Sequence, residues 1–315
     1  MSRLSYAVCT YNRAERLPRL IRAMRAQDCP LPFEVLVIDN NSSDDTPRVL
    51  ARLATEPGAP LRVVRETRQG ISHARNRALA EALDSDYLVF IDDDELPRPG
   101  LLVAACAALT EDGVQCVGGR VHVDFEGLQR PAWLGDELLG FLAEVDYGDR
   151  PFRIRDAGTP LWTANIAYDM ALFRDDPGLR FDLRYNRIGK GIGGGEDIRL
   201  FETFLERGIG MAYEPRMVVD HRVEAWRLSR RYFLALHYES GRKQGYFDER
   251  HQPRLWFGAP PFLYGLLLRQ GGRTALKYLR HAPDRLRQAM NLSHALGMIA
   301  GHRQRRAQGK GDSDD

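Results

Sequence analysis

At 315 residues, 43% hydrophobic and 28% charged, the chain has the composition of a globular protein with a sizeable core, which excludes disordered and collagen-like classes. Lys and Arg number 45 against 43 Asp and Glu, so a net charge of +2 singles out no polyanionic partner for the molecule as a whole. The distribution is less even: from Arg222 to Lys310 eighteen basic residues stand against five acidic ones, a basic carboxyl-terminal third.

No apolar run approaches the roughly 18 residues of a membrane span. The longest, 255–268, is broken by Gly258, Pro260 and Pro261. Residues 1–5 lead directly into a strand, with no signal peptide visible. Cys9, Cys29, Cys106 and Cys116 have neither metal nor disulfide spacing, which suits thiols in a reducing cytoplasm.

Along the chain, 4–10 reads as a strand and 14–27, apolar at Leu17, Leu20, Ile21 and Met24, as a helix. A second strand, 33–38, runs into the polar cluster 39–45, which caps a helix over 46–54. A strand over 61–66 and a helix over 70–82, carrying Arg75 and Asn76, come next. The run from Tyr87 to Ile91 is a buried-strand signature that stops at Asp92, Asp93, Asp94 and Glu95. Pro97, Pro99 and Gly100 then force a turn into a helix over 101–109. This alternation predicts an α/β fold, a mostly parallel sheet flanked by helices.

Farther on, strands are expected over 114–125 and 159–168, with a helix over 133–145 and a short one over 170–174. A glycine-rich loop over 185–195 precedes a helix over 196–207 and a strand over 210–219 that ends at Asp220 and His221. The remainder is helical and basic over 229–245, 261–269, 273–279 and 284–302, and 304–315 has the composition of a disordered tail. The expected domains are 1–222, with halves 1–113 and 114–222, and a helical extension over 223–303.

Open α/β sheets bind ligands at the carboxyl ends of their strands, where the three aspartates lie. Adjacent carboxylates repel one another unless a cation neutralises them, and hard oxygen donors suit Mg²⁺ or Mn²⁺. A solvated acidic turn that caps the next helix is the competing reading. Gly189, Gly191 and Gly194 formally satisfy G-x-G-x-x-G, but no apolar strand precedes them. They read better as a loop that closes over a substrate.

The order of these pieces over about residues 4–222 resembles the family 2 glycosyltransferases, which have the Rossmann-like GT-A fold. Four matches carry the resemblance. Thr10, Tyr11, Asn12 and Arg13 after the first strand, with Asp39 and Asn41 after the second, correspond to loops that hold the nucleotide. Asp39 matches an aspartate that accepts a hydrogen bond from uracil. As a helix cap it competes with Asn41, Ser42 and Asp44, which are closer to Thr46. Gly70, Arg75 and Asn76 match a helix facing the nucleotide and the acidic loop.

Asp92-Asp93-Asp94 matches the family's Asp-x-Asp motif. The resemblance implies that Asp94 ligates Mn²⁺ or Mg²⁺ and that Asp92 lies on the nucleotide side or shares the metal. The run of three leaves the register, and the part played by Asp93, open. Glu196-Asp197 matches a Glu-Asp motif whose aspartate is the catalytic base; two acids favouring a helix N-terminus is the alternative. His221 matches a histidine that completes the metal site. Trp162 and Asn165 could face the donor sugar and Trp133 could stack on an acceptor; since a Trp is more often core, Asn165 is the residue singled out.

The implied function is inverting transfer of a sugar from a nucleotide sugar, UDP-linked, to a glycan or lipid-linked acceptor in surface polysaccharide synthesis. The Gln-x-x-Arg-Trp motif and long membrane spans of processive members do not appear in the sequence, which implies one sugar per encounter. The alternatives are a sugar-phosphate nucleotidyltransferase, although 10–13 lacks the Gly-rich form needed there, and a catalytically silent nucleotide-sugar binding protein. The expected location is cytoplasmic. The basic third is open to two readings, a peripheral contact with anionic lipid at the inner face of the plasma membrane or a plain solvated face. No nucleic-acid module is visible.

Overall fold

The first strand, β1 (Leu4–Thr10), is buried along its whole length, as a mostly apolar run must be when both faces of its sheet are covered. A computed structural model describes residues 3–187, 194–248 and 254–309. The chain forms two compact units, Met1–Val223 and Glu224–Asp315.

In the first unit β1 is joined by β2 (Phe33–Asp39), β3 (Leu61–Arg65), β4 (Tyr87–Asp92), β5 (Glu95–Pro97), β6 (Cys116–Asp124), β7 (Phe152–Arg153), β8 (Asn165–Asp169) and β9 (Met211–Arg222). The strand order is β3-β2-β1-β4-β8-β6-β9-β5, with β7 on β9. β1 pairs in parallel with β2 and β4, and β2 with β3. Beyond β4 the sheet is mixed: β8 is antiparallel to β4 and β6, β6 is parallel to β9, and β5 is antiparallel to β9. The parallel order expected from the sequence therefore holds for the β3-to-β4 half. Strict strand–helix alternation, which enforces parallel crossovers, ends before β6.

Because side chains alternate along a strand, each strand feeds two cores. Leu4, Tyr6 and Val8 pack with α1 (Leu17–Arg25), α2 (Thr46–Ala54) and α4 (Leu101–Leu109). Ala7 and Cys9 pack on the other side with α3 (Ile71–Glu81), α5 (Ala171–Asp175) and α6 (Glu196–Glu206).

Several elements differ from the sequence reading. The helix expected over 133–145 is only a 3₁₀ segment, Asp136–Leu142, flanked or interrupted by Gly135 and Gly140. The strand expected over 159–168 starts at Asn165, beyond Pro160. β5 was hidden within the acidic turn and β7 is two residues long.

The second unit contains α7 (Arg230–Tyr246), α8 (Pro261–Leu279) and α9 (Arg285–Gly309). α8 is continuous where two helices were expected, since Gly271 and Gly272 cost helix stability without removing backbone bonds. α9 extends into the expected tail, of which residues 310–315 lie outside the described residues. α7 and α9 touch backbone to backbone. A Cβ on Gly241 or Gly245 would lie 2.1 Å from the carbonyl oxygen of His294 or Met298. On Gly297 or Gly301 it would lie 2.0 Å from that of Tyr238 or Arg242. Two Gly-x-x-x-Gly segments thus interlock, and only glycine permits so close an approach. Among the described residues no helix is long and apolar enough to cross a membrane.

Candidate active site

Parallel pairing aligns the carboxyl ends of three neighbouring strands, with Thr10 opposite Asp39 and Cys9 opposite Asp92. The loops beyond them are stitched together. Asn12 and Asn41 adopt left-handed backbone (φ 54° and 61°), which short amide side chains tolerate. Asn12 donates its N–H to Ser42 Oγ (3.0 Å) and accepts from the Ser43 N–H (2.8 Å), so its side chain clasps the two loops. The Arg13 N–H donates to Thr46 Oγ1 at 3.0 Å, while Tyr11 is half-buried beside them.

Asp39 is buried and accepts from the Ser42 N–H at 3.0 Å; the N–H of Thr46 is bonded instead by Asp44 (2.9 Å). The side chain bonded to the first N–H of α2 is therefore that of Asp44, not Asp39. Asn41 accepts from Arg65 at 2.9 Å. Its neighbour Asn40, which the sequence reading passed over within a polar run, accepts from the Gly70 N–H (2.7 Å) and donates to the Arg68 carbonyl (2.8 Å). Gly70 starts α3 at φ 131°, and a Cβ there would lie 2.0 Å from the Asn186 amide.

Arg75, on the buried side of α3, joins the two acidic motifs. Its Nη1 lies 2.7 Å from Glu196 Oε1 and 3.8 Å from Asp197 Oδ2, and its Nη2 lies 3.1 Å from Asp92 Oδ1. The guanidinium also stands over the Phe181 ring, 5.7 Å from its centre. Burial pulls its pKa down, but the charges of Asp92, Glu196 and Asp197 outweigh this and leave it raised. Glu196 is buried, and burial together with Asp197 raises its pKa against the pull of Arg75. Asp197 is the more exposed of the two, its side chain 18% accessible against 4% for Glu196.

The three aspartates have separate partners. Asp92, expected at a metal, is engaged by Arg75. Asp93 accepts from Thr10 Oγ1 at 2.7 Å and lies 3.5 Å from Arg13 Nε; burial and the charge of Asp94 push its pKa up to about 6. Asp94 Oδ1 lies 3.4 Å from His221 Nδ1. β5 produces this last meeting by pairing Glu95 with His221 across to β9.

A carboxylate and an imidazole, both nearly buried and this close, suit a cation whose remaining ligands come from water or a diphosphate. No group of three or more acid, His or Cys ligands gathers among the described residues.

Two expected ligand contacts are otherwise occupied. Asn165 is only 1% exposed, and its amide donates to the Arg120 and Met217 carbonyls, both at 2.9 Å. It fills the bulge between Gly119 and Arg120 where β6 pairs with β9, with both its N–H groups taken by backbone. Asn76 bonds the Phe181 backbone through both ends of its amide, at 2.8 and 2.9 Å, and so fixes the ring beneath Arg75. The loop reading for Gly189 and Gly191 lies outside the described residues.

Glu95, which the sequence gave no separate role, is fully buried and accepts from the Asp92 N–H at 2.7 Å. Burial, partly offset by His221, pushes its pKa up to about 8. Between the ordinary carboxylate range and pH 8 the unfolded chain has released this proton while the folded one retains it. Stability must therefore fall as pH rises through that window, levelling off above it. Denaturant titrations in EDTA are expected to show this slope between pH 6 and 8, and to show it reduced in Glu95→Gln.

A family model described as Glycosyl transferase family 2 matches residues 5–177, more than half of the chain. The chain belongs to glycosyl transferase family 2. Glycosyltransferase AglE of Haloferax volcanii is 28% identical over 39% of this chain and 40% of its own length. A Campylobacter jejuni protein named GalNAc(5)-diNAcBac-PP-undecaprenol beta-1,3-glucosyltransferase is 30% identical over 40% of each chain. The family 2 chain thus spans about two fifths of the length of these two relatives, and 15% of that of a Pasteurella multocida hyaluronan synthase that it also matches. Its fold is like that of PcManGT, a mannosyltransferase from Pyrobaculum calidifontis solved with GDP-Man and Mn²⁺. That likeness has a TM-score of 0.62 at 20% identity, covering 96% of this chain and 86% of that one, and it concerns the GT-A fold. The family and fold implied by the four sequence matches are those found.

Proposed function

We propose that this family 2 chain is an inverting glycosyltransferase that moves a sugar from a nucleotide sugar, UDP-linked in our reading, to a hydroxyl of a glycan or lipid-linked acceptor. The observation that carries the reading is the bridge made by Arg75, which binds Asp92 at the end of β4 and Glu196 at the start of α6, with Asp197 adjacent. Donor and acceptor chemistry require acids from these two segments to share one cleft.

In this mechanism Asp197 accepts the proton of the acceptor hydroxyl as its oxygen bonds to the anomeric carbon. The bond from that carbon to the diphosphate breaks in the same displacement, the electron pair leaving with the diphosphate, so the anomeric configuration inverts. Glu196, buried against Arg75, positions its neighbour and does not meet the acceptor. Asp39, Thr10 and Arg13 border the nucleotide. A divalent ion, Mn²⁺ or Mg²⁺, held by Asp94 and His221 would offset the charge of the departing diphosphate. The C. jejuni relative, named for an undecaprenol-linked substrate, supports the acceptor class, and the Mn²⁺ and GDP-Man of the fold neighbour support the donor class.

Thermal unfolding against UDP-, GDP- and dTDP-sugars, each with and without Mn²⁺, tests the donor assignment. A ligand at about 100 times its Kd stabilises the folded state by about 2.7 kcal/mol, a shift of several degrees. The expected result is a shift with one nucleotide class that is largest when Mn²⁺ is present. A folded protein that responds to none of them would refute the assignment.

A further inference from the structure

α8 has an unusual distribution of apolar residues. Leu263 and Thr274 are buried, and Leu263 packs with Ala259, Met298 and Ile299. Yet the opposite side of the helix is apolar as well. Pro261, Gly265, Leu268, Gly272, Leu276 and Leu279 recur every three or four residues, the spacing of one helical face. Leu268 is 77% exposed and Leu279 79%, far more than isolated surface leucines require.

The turn before α8 adds an aromatic tip. Trp256 and Ala259 form a bridge around Phe257 (φ 44°) and Gly258 (φ 83°), and Phe257 is 85% exposed. A bulky residue in left-handed backbone carries strain. Here the strain is held in place by hydrogen bonds to the Trp256 carbonyl from Tyr264 (2.8 Å) and to the Phe257 carbonyl from Arg303 (2.9 Å). The Phe257 and Tyr264 rings meet edge-on at 6.4 Å, which ties the tip to the first turns of α8.

The helix itself carries charge of one sign, although Lys277 is paired with Asp284 just beyond its end. α8 carries Arg269, Arg273 and Lys277 and no acid, with Arg254 before it and Arg280 after it. A second copy of α8 laid on the strip would bring arginines together with no carboxylate on either helix to answer them. An apolar strip edged by cations, with aromatic side chains at one end, complements a bilayer interface with anionic headgroups.

We propose that the outer face of α8, with the Trp256–Phe257 tip, rests in the interface of an anionic lipid bilayer. The inference is independent of the transfer reaction, because every residue in it belongs to the carboxyl-terminal unit.

Co-sedimentation of the full chain with phosphatidylcholine vesicles, with and without phosphatidylglycerol, tests it. Wild type is expected to sediment with the mixed vesicles and only weakly with the neutral ones. Arg269→Gln with Arg273→Gln should lower partitioning about fivefold per charge, roughly 30-fold together. Leu268→Ser with Leu279→Ser should lower it at least about tenfold. Because these side chains are exposed, both variants should unfold at the wild-type temperature, which separates lost binding from lost folding. Failure of folded wild type to bind, equal binding to neutral vesicles, or unchanged binding by either variant overturns the proposal. So does a wild-type dimer, seen by sedimentation velocity, that the leucine variant converts to monomer, since a second copy would then cover the strip.

Discussion

Arg75→Met is expected to destabilise the first unit by about 3–5 kcal/mol, a large share of a total of about 5–15 kcal/mol. Methionine is apolar and shorter, so it removes the guanidinium over Phe181 and with it the positive charge that lies within 3.8 Å of Asp92, Glu196 and Asp197. Glu196 suffers most, because it is buried and cannot turn to water. Breaking a buried pair from one side costs more than the pair contributes, since the abandoned charge keeps its desolvation penalty. Without Arg75, burial and Asp197 raise the Glu196 pKa with less opposition, so at neutral pH the folded variant holds a proton that its unfolded chain has already released. Its deficit should accordingly be larger at pH 8 than at pH 5. Adding Glu196→Gln should recover part of the loss, and a double-mutant cycle by urea denaturation measures the coupling. A single variant within about 1 kcal/mol of wild type at neutral pH would show that the bridge is not a structural keystone.

Asp197→Asn is expected to lower kcat by about 10²–10⁴ while leaving Mn²⁺-dependent nucleotide binding unchanged. Asparagine retains the shape and the place at the start of α6 but cannot take a proton from the acceptor. Thermal stability with and without UDP or GDP checks binding, and single-turnover transfer checks chemistry. Two results would redirect the mechanism. Loss of nucleotide binding would move Asp197 to the donor side. Unimpaired turnover would point to an acceptor that is already an anion at neutral pH, such as a polyprenyl phosphate, whose oxygen attacks without a base.

The sequence disclosed the carboxyl-end arrangement because its cues are local. The apolar run ending at Asp92, the polar cluster after Ile38 and the glycines before Glu196 each announce a strand or helix boundary. It did not disclose which polar groups are spent on the scaffold, because those partners are distant in sequence. Asn165 becomes interior only when β6 bulges against β9, bringing the Met217 carbonyl over it from 52 positions away. Asn76 is consumed by Phe181, 105 positions along. Within 92–95, composition is nearly uniform, yet Arg75, Thr10, His221 and the Asp92 N–H divide the four acids among different tasks. The mixed pairing beyond β4 is hard to read for a related reason: the antiparallel entry of β8 depends on a long excursion that has no periodic signature.

The interlocked glycines of α7 and α9 carry a mechanical consequence. Contacts advance together along both helices, from Tyr238 with Gly297 to Arg242 with Gly301, so the pair runs parallel with its axial register fixed. Sliding by even one residue would drive a side chain into a carbonyl group. Shear, the usual low-cost displacement between packed helices, is thereby closed to this pair. The two helices are held as one rod.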